Sequence, residues 1–359
     1  MRRLAPCVIA ALMVAFTSLS ATAASKLPPG AASAPAPPDT STPISAPAPS
    51  GDRAASAAST APAPAGGSPA VADTPSGGIP HIAAPSASFP ITSATSLLVV
   101  SPHPDDEVLC CSGVIQRVLH AGGRVSIVWL TSGDGSELDL LVVEKSLFPR
   151  PSKLRELALR RMQESKDAAA VLGVPSDRLF FLGYPDRGIL ALFTDYYITP
   201  YRSKFTTATG VPYPGAMSPG RPYTGQNLEH DFDTVLDKVH PTLILAPSPR
   251  DSHSDHRATG LVTIRAMARR NELSKIRYWI VHGGEFWPIP RGYEPDLEMN
   301  PPPLGHGLSQ TPFKLEAGEE QRKRQAISAY HTQMEVMSSF LLSFVRTTEL
   351  YSTTPMPSN

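Results

Sequence analysis

The stretch Ser93 to Glu107, SATSLLVVSPHPDDE, decides the fold. Its four consecutive apolar residues, Leu97 to Val100, predict a short buried strand. A proline-bracketed turn follows, carrying one imidazole and three carboxylates: His103, Asp105, Asp106 and Glu107. Such closely spaced carboxylates repel one another and are costly to desolvate unless a cation or hydrogen-bond donors face them. A divalent metal at the carboxyl end of the strand is the simplest compensating charge, and imidazole with carboxylate suits zinc.

A second stretch, Leu243 to His256, repeats this pattern, because the apolar run LILAP precedes SPRDSHSDH. The carboxyl ends of neighbouring parallel strands are where α/β proteins place their ligands, so the two stretches are expected to meet. A catalytic zinc ion keeps three protein ligands and one position open to water. We therefore predict one zinc ion held by His103, Asp106 and His256, with another divalent metal as the alternative.

The rest of the folded part alternates strands and helices. Helical spacing over Val108–His120 is followed by the apolar strand Arg124–Leu130. Helical spacing over Lys153–Leu172 is then followed by the apolar strand Arg178–Leu182. This order predicts an α/β fold, a Rossmann-like three-layer sandwich with a mainly parallel sheet and the active site at the carboxyl ends of the strands. The later predicted elements are a helix over Leu228–Val239, a strand over Thr242–Ala246, a helix over Asp255–Arg270, a strand over Ile276–Val281 and a long helical region over Glu316–Phe344, broken once.

The N-terminal part has a different composition. Residues 1–23 combine two arginines, an apolar run and an Ala-x-Ala pattern, which predicts a bacterial-type signal peptide and export to the periplasm or medium; an uncleaved anchor is the alternative. Residues 24–92 are rich in Pro, Ala and Ser and predict a disordered linker, either a spacer or a tail without function. Residues 93–359 then form the folded domain.

Charge and cysteine content exclude other classes. With 32 basic and 32 acidic residues and no basic run, the chain shows no nucleic-acid signature. No second apolar span follows the signal peptide, so no stable membrane span is expected, and the oligomeric state is open. Cys110 and Cys111 remain after signal removal; because adjacent cysteines rarely bridge without strain, we expect them to pack unbridged in the first turns of a helix.

Two irregular segments, Gly183–Leu228 and Phe286–Pro312, are candidate covers of the site. The tyrosines of the first segment either stack on sugar rings or pin the loop to the domain. His282 follows the fifth predicted strand and could also reach the site.

The two motifs resemble the signatures of the zinc-dependent de-N-acetylases of the PIG-L/LmbE type. HPDDEVLCCSGVI is similar to HPDDE-x-x-G-C-G-G, and DSHSDHRATG is similar to the H-x-D-H motif; RMQES, FLGYPDRG and KRQAISAYHTQ fit as well. The likeness spans roughly Leu97 to Tyr351. Cys110 and Ser112 stand where that family usually has glycine, which puts the close packing of this turn in question.

The resemblance implies roles for individual residues. Asp105 neighbours a metal ligand but should point elsewhere; we predict that it is the general base and returns the proton to the amine, the role that the resemblance also gives it. By resemblance, His253 stabilises the oxyanion while Asp255 fixes its charge and orientation. Arg161 and Asp186 resemble positions that meet the sugar, or else they pair with other charges. Glu107 is expected to accept backbone N–H groups.

These features favour an exported zinc hydrolase that removes the acetyl group from an N-acetylglucosamine-type saccharide or glycoconjugate. An amidase or deacetylase for another N-acyl substrate would use the same residues. A non-catalytic zinc-containing glycan-binding module is a different class, and the intact catalytic positions disfavour it.

Overall fold

The computed structural model describes residues 91–135 and 150–356. The predicted signal peptide and the predicted linker up to residue 90 lie outside the described residues. Seven described strands form one sheet. The strands are β1 (Ser96–Ser101), β2 (Arg124–Thr131), β3 (Leu179–Tyr184), β4 (Leu243–Pro247), β5 (Ile276–Trp279), β6 (Gln310–Lys314) and β7 (Thr348–Ser352). The α-helices of the same region are α1 (Asp106–His120), α2 (Pro151–Leu172), α3 (Ile189–Thr194), α4 (Gly225–Val239), α5 (Ser254–Arg269), α6 (Ala317–Ser328) and α7 (His331–Leu342).

The sheet confirms the predicted α/β class. Its strand order is β3-β2-β1-β4-β5-β7-β6; the first five strands are parallel, while β7 is antiparallel to β5 and to β6. Every residue of β1 and β4 is buried, as expected for central parallel strands with both faces covered. The helices pack in two groups, α1, α2, α6 and α7 in one and α3, α4 and α5 in the other. The chain order reverses between β1 and β4, and this switch point is where such sheets bind ligands.

The predicted strands and helices are present within a few residues of their expected bounds, and the long helical region breaks into α6 and α7. Three elements of the structure were not predicted: the short helix α3 inside Gly183–Leu228, and the antiparallel strands β6 and β7. Pro312 lies within β6, at the edge of the sheet, where a missing N–H costs least. The predicted cover Phe286–Pro312 therefore ends in a strand.

A buried ion pair ties α6 and β7 to α1. Lys323 Nζ donates to Glu349 Oε1 at 2.8 Å and to the carbonyl of Leu109 at 2.8 Å. Glu349 also accepts the backbone N–H of Gly113 at 3.0 Å and the hydroxyl of Tyr351 at 2.8 Å. Gly113 allows this close approach, because a Cβ at this position would lie 2.8 Å from the Leu315 side chain and 3.1 Å from that of Glu349. This network holds the first turns of α1, and with them the HPDDE turn.

The two cysteines of α1 form a disulfide bond, so the prediction that they pack unbridged is wrong. Their predicted place in the first turns of a buried helix is correct. Both cysteine side chains are buried, and their Cα atoms are 3.8 Å apart. Ser112 fits in the turn by donating its hydroxyl to the carbonyl of Val108 at 2.8 Å, so neither departure from glycine disrupts the packing.

Candidate active site

The carboxyl ends of β1 and β4 open into a cavity of about 220 Å³. Both motif turns reach it, as predicted, because β1 and β4 are hydrogen-bonded neighbours. Carboxylates, imidazoles and arginines line one part of the cavity and apolar side chains another. Its described lining residues are His103, Asp105, Asp106, Leu109, Gly135, Arg161, Asp186, Arg187, His253, Val281, His282, Met337 and Phe340.

The three predicted metal ligands meet at one carboxylate oxygen. Asp106 Oδ2 lies 3.2 Å from His103 Nδ1 and 3.1 Å from His256 Nε2. The carboxyl of Asp106 is buried, and these two imidazoles hold its pKa well below the usual range against the effect of burial. The structure thus brings together ligand atoms from both strand ends.

His256 is fully buried and oriented by a second carboxylate. Its Nδ1 lies 3.1 Å from Asp251 Oδ2, which also accepts the backbone N–H groups of Val281 and His282, each at 3.0 Å. The N–H at Nδ1 thus donates to Asp251, so Nε2 is directed at Asp106. Asp251 is a site residue that sequence reasoning did not assign, although it lies two residues before His253 in the motif itself.

His103 is held in the same manner from its other side. Its Nε2 lies 3.3 Å from Asp186 Oδ1 and 3.4 Å from Asp255 Oδ2, while its Nδ1 faces Asp106. Each predicted histidine ligand therefore has one ring nitrogen held by an outer carboxylate and the other directed at Asp106. Outer carboxylates of this kind fix the tautomer and raise the basicity of metal-ligating histidines.

A zinc ion fits this donor set. The ligand atoms of a tetrahedral zinc ion at 2.0–2.1 Å are about 3.3 Å apart, close to the two separations at Asp106. His256 Nε2 is buried and makes no hydrogen bond, although Asp106 Oδ2 is 3.1 Å away. Burial lowers the pKa of His256, but Asp106 and Asp251 outweigh it and raise the pKa to about 9. The surroundings thus favour a positive charge where a metal would supply one.

Asp105 has the properties of a buried base. Its backbone adopts φ = 107°, a conformation that is uncommon outside glycine and is typical of functional turns. The carboxylate lines the cavity, and Arg161 Nη2 lies 3.9 Å from its Oδ2. Burial and the neighbouring Asp106 raise the pKa of Asp105 well above its ordinary value. A carboxylate with a raised pKa accepts a proton more readily than an exposed one.

His253 also lines the cavity and precedes α5 as its N-cap. Its Nδ1 accepts the backbone N–H of Asp255 at 3.3 Å. Burial, followed by the nearby imidazoles of His103 and His256, lowers the pKa of His253, so the ring is neutral. In a neutral ring whose Nδ1 is an acceptor, the proton is on Nε2, which leaves Nε2–H as the free donor.

The predicted contact of the Asp255 carboxylate with His253 is absent. The carboxylate instead accepts the backbone N–H of Arg187 at 2.5 Å and that of Ile189 at 3.2 Å, and it lies beside His103. The reason is local: α5 starts at Ser254, so its first turn directs Asp255 away from the N-cap side chain. The contacts of the Asp255 carboxylate thus place it with His103, and its predicted effect on the charge and orientation of His253 stays a prediction.

Arg161 and Asp186 line the cavity but also have structural partners. Arg161 donates to the carbonyls of Gly133 and Pro104, both at 3.0 Å, and so supports the turn that carries Asp105. Asp186 accepts the N–H of Gly135 at 3.0 Å in addition to its contact with His103. The alternative that they pair with other groups is thus observed, while their contact with a substrate stays a prediction.

The turn at Gly133–Gly135 contains a second unassigned residue, Asp134. Its carboxylate accepts the backbone N–H of Asp186 at 3.0 Å and the hydroxyl of Tyr213 at 2.7 Å. Burial and the nearby Asp186 raise the pKa of Asp134 to about 7. Tyr213 belongs to the predicted cover Gly183–Leu228 and is buried. It therefore holds this loop against the domain and does not stack on a sugar ring.

The apolar wall of the cavity comes from an unexpected element. Among the described residues, Phe286–Pro312 supplies no lining residue; Met337 and Phe340 of α7 do so instead. Met337 has non-helical dihedral angles (φ −135°, ψ 32°), so α7 is kinked where it meets the cavity. This kink cannot be inferred from the apolar periodicity of the segment.

Glu107 is structural, as expected, and its donors include side chains as well as backbone groups. It accepts the N–H of Asp105 at 3.2 Å, the indole N–H of Trp129 at 3.0 Å and the hydroxyl of Tyr330. Burial raises the pKa of Glu107 to about 7. The residue thus joins the HPDDE turn to β2 and to Tyr330, the N-cap of α7.

The fold and the site together define an α/β protein with a candidate His/Asp metal site at the switch point of its sheet. The model of the family PIG-L: GlcNAc-PI de-N-acetylase matches residues 98–267. This match covers both motif turns, and the family is the one that the motifs resemble. Within the described region, no helix has the length and apolar character to cross a membrane.

The chain is similar to several deacetylases. It is 26% identical to the diacetylchitobiose deacetylase of Thermococcus kodakarensis over 50% of this chain and 51% of the relative. It is 28% identical to the 1D-myo-inositol 2-acetamido-2-deoxy-alpha-D-glucopyranoside deacetylase of a Mycobacterium species over 52% of this chain and 54% of the relative. The chain thus spans about half the length of these two curated relatives. The structure of the N,N'-diacetylchitobiose deacetylase from Pyrococcus horikoshii is 20% identical, covers 70% of this chain and 79% of that chain, and gives a TM-score of 0.42.

Proposed function

We propose that this protein is a zinc-dependent amide hydrolase that removes the acetyl group from an N-acetylglucosamine-type saccharide or glycoconjugate. The observation that carries the proposal is the position of Asp106 Oδ2 between His103 Nδ1 and His256 Nε2, with Asp105 facing the same cavity. Two relatives named as deacetylases of amino sugars support the choice of an N-acetyl group.

The metal ligands in this proposal are His103, Asp106 and His256. When bound, zinc lowers the pKa of a water molecule towards neutrality and polarises a carbonyl oxygen. Asp105 is placed to take the proton of the attacking water, because its carboxylate lines the cavity and its raised pKa increases its basicity. The same carboxyl group then supplies that proton to the departing amine, so the two proton transfers need only one residue.

His253 stabilises the negative charge that develops on the carbonyl oxygen. Its Nε2–H is the free donor of a neutral imidazole, since Nδ1 accepts a backbone N–H. A donor placed before the reaction starts does not need to reorganise when charge develops, and loss of one such donor costs about 100- to 1000-fold in rate. Asp255 acts on the other histidine, by holding His103 at Nε2.

The cavity suits an acetamido sugar on two sides. Asp186 and Arg161 present polar groups that can pair with sugar hydroxyls, while Met337 and Phe340 present an apolar wall. A sugar ring has polar edges and apolar faces, so this division matches both. We assign Arg161 and Asp186 as substrate contacts in the proposed complex.

The proposal includes export, on the basis of residues 1–23. Expression of the full chain in a Gram-negative host, followed by fractionation and N-terminal sequencing, tests this part. A periplasmic product that begins after Ala23 is expected; a product with an intact N-terminus in the cytoplasm contradicts it.

The activity is tested by acetate release from a panel of N-acetylated saccharides and from N-acylated peptides. We expect acetate from saccharides that contain N-acetylglucosamine, loss of the activity after chelation, and recovery with zinc. Release from the peptides alone would replace the saccharide by another N-acyl substrate. Saccharide binding without any acetate release would support a glycan-binding module instead.

A further inference from the structure

His282 has no role in the proposed mechanism, although it lines the same cavity. It follows β5, whose end lies beside β4 because the two strands pair in parallel up to Pro247 and Trp279. The side chain is therefore delivered to the metal cluster by a third strand end. The predicted ligands come from the ends of β1 and β4 only.

The backbone of His282 is braced against the loop that carries the other histidines. Its N–H donates to Asp251 Oδ2 at 3.0 Å, the same oxygen that holds His256 Nδ1. Its carbonyl accepts the backbone N–H of Ser252 at 3.1 Å and the hydroxyl of Ser252 at 3.0 Å. One carboxylate thus fixes the positions of His256 and His282 together.

The imidazole of His282 is oriented by two ring contacts. Its ring stacks on Phe340, with centroids 5.8 Å apart and an interplanar angle of 14°. It meets His256 edge-on at 4.7 Å between centroids. In the part of the chain that the structure describes, neither ring nitrogen of His282 makes a hydrogen bond, whereas His103 and His256 each have an outer carboxylate.

One ligand atom from each of Asp106, His256 and His282 lies within 4.8 Å of the others. This trio shares two members with the predicted set and replaces His103 by His282. We propose that His282 is an additional ligand of the metal centre, able to complete the coordination of an ion held by Asp106 and His256. The inference rests on the metal site of the proposed function and not on its substrate.

The consequence is that the metal site does not depend on His103 alone. An ion that loses His103 keeps a three-residue set through His282, which leaves its fourth position for water. Removal of His282 therefore lowers metal affinity, and removal of both histidines lowers it far more than either single change.

The test is zinc affinity, measured on the full, metal-stripped chain by competition with a chromophoric chelator. We compare the native protein with His282→Phe, which keeps a ring to stack on Phe340 but has no ligand atom. The matched control is His306→Gln, at an exposed histidine outside the cavity. We expect at least the roughly tenfold loss of affinity that removal of an outer partner causes, and no loss in the control.

The same substitution is then made in a His103→Gln background, where the expected further loss exceeds that in the native background. Cobalt-loaded protein gives a second readout, because its visible absorption reports the coordination and should change with His282→Phe. Equal zinc affinity and equal cobalt spectra for native and His282→Phe protein, with normal thermal unfolding, would overturn this inference alone. Failure of the native protein to bind zinc would overturn the metal site of the proposed function as well.

Discussion

The substitution Asp251→Asn tests whether an outer carboxylate sets the metal affinity of this site. Asp251 is buried, and its two oxygens accept four hydrogen bonds. Oδ2 faces His256 Nδ1 and two backbone N–H groups, and Oδ1 accepts the N–H of His253 at 2.9 Å. Asparagine has a single acceptor oxygen, so in either orientation its NH₂ group faces at least one N–H donor.

The size of the effect follows from what is lost. If the amide oxygen moves to the His253 side, His256 loses the acceptor that fixes its tautomer; if it stays, His253 loses its backbone bond. Loss of an outer partner costs about 10- to 100-fold in metal affinity, or about 1.4 to 2.7 kcal/mol. A buried donor left without a partner also costs about 1 to 3 kcal/mol of folding free energy in the metal-free protein.

The assay is a zinc competition titration of Asp251→Asn beside Asp177→Asn, a control at an exposed carboxylate. Urea unfolding of the metal-free proteins separates the cost to folding from the cost to binding. We expect the affinity loss only in Asp251→Asn. Zinc affinity within twofold of the native value, in a folded variant, would refute the view that Asp251 orients a metal ligand.

Two further predictions concern stability. The pKa of Asp134 is raised to about 7 in the folded protein, so its protonated carboxyl group is the favoured form there. The stability that this protonated group contributes is complete below about pH 4 and is lost as the pH rises to about 7. In urea unfolding of metal-free protein, Asp134→Asn should therefore match the native protein at low pH and exceed it above pH 7, by up to about 4 kcal/mol; equal pH profiles would contradict this. Lys323→Met leaves the buried Glu349 carboxylate without its cation and should cost about 3 to 5 kcal/mol, much of it restored by adding Glu349→Gln. A cost below about 1 kcal/mol would show that the pair does not matter.

Local sequence determines the parts of the fold that depend on periodicity. Leu97–Val100 and LILAP each form a buried strand, and each delivers its polar residues to the same edge because parallel strands share a direction. The strands β6 and β7 could not be predicted, since they are defined by pairing with one another across an intervening helical region. No short stretch of sequence contains that information.

In the site, too, some features follow from local sequence and others depend on distant contacts. The residues within the two motifs are brought together, but their partners are set by side-chain directions that the motifs do not encode. The carboxylate of Asp255 contacts His103 rather than His253 because of where α5 begins. Asp134 and Tyr213 are 79 positions apart in the sequence, so their contact depends on the path of the loop between them. The motif spacing DSHSDH does offer a signal for Asp251, which lies on the same loop as both histidines.

The most direct measurement compares Asp105→Asn with Asp106→Asn, which make the same chemical change at adjacent positions. Zinc content and acetate release from an N-acetylglucosamine oligosaccharide are determined on the same samples. Asp105→Asn should keep its zinc and lose about 100- to 10,000-fold in rate, as expected for loss of a general base, whereas Asp106→Asn should lose the zinc. An Asp105→Asn protein that retains zinc and still releases acetate at the native rate would contradict the assignment of base and ligand to these two residues.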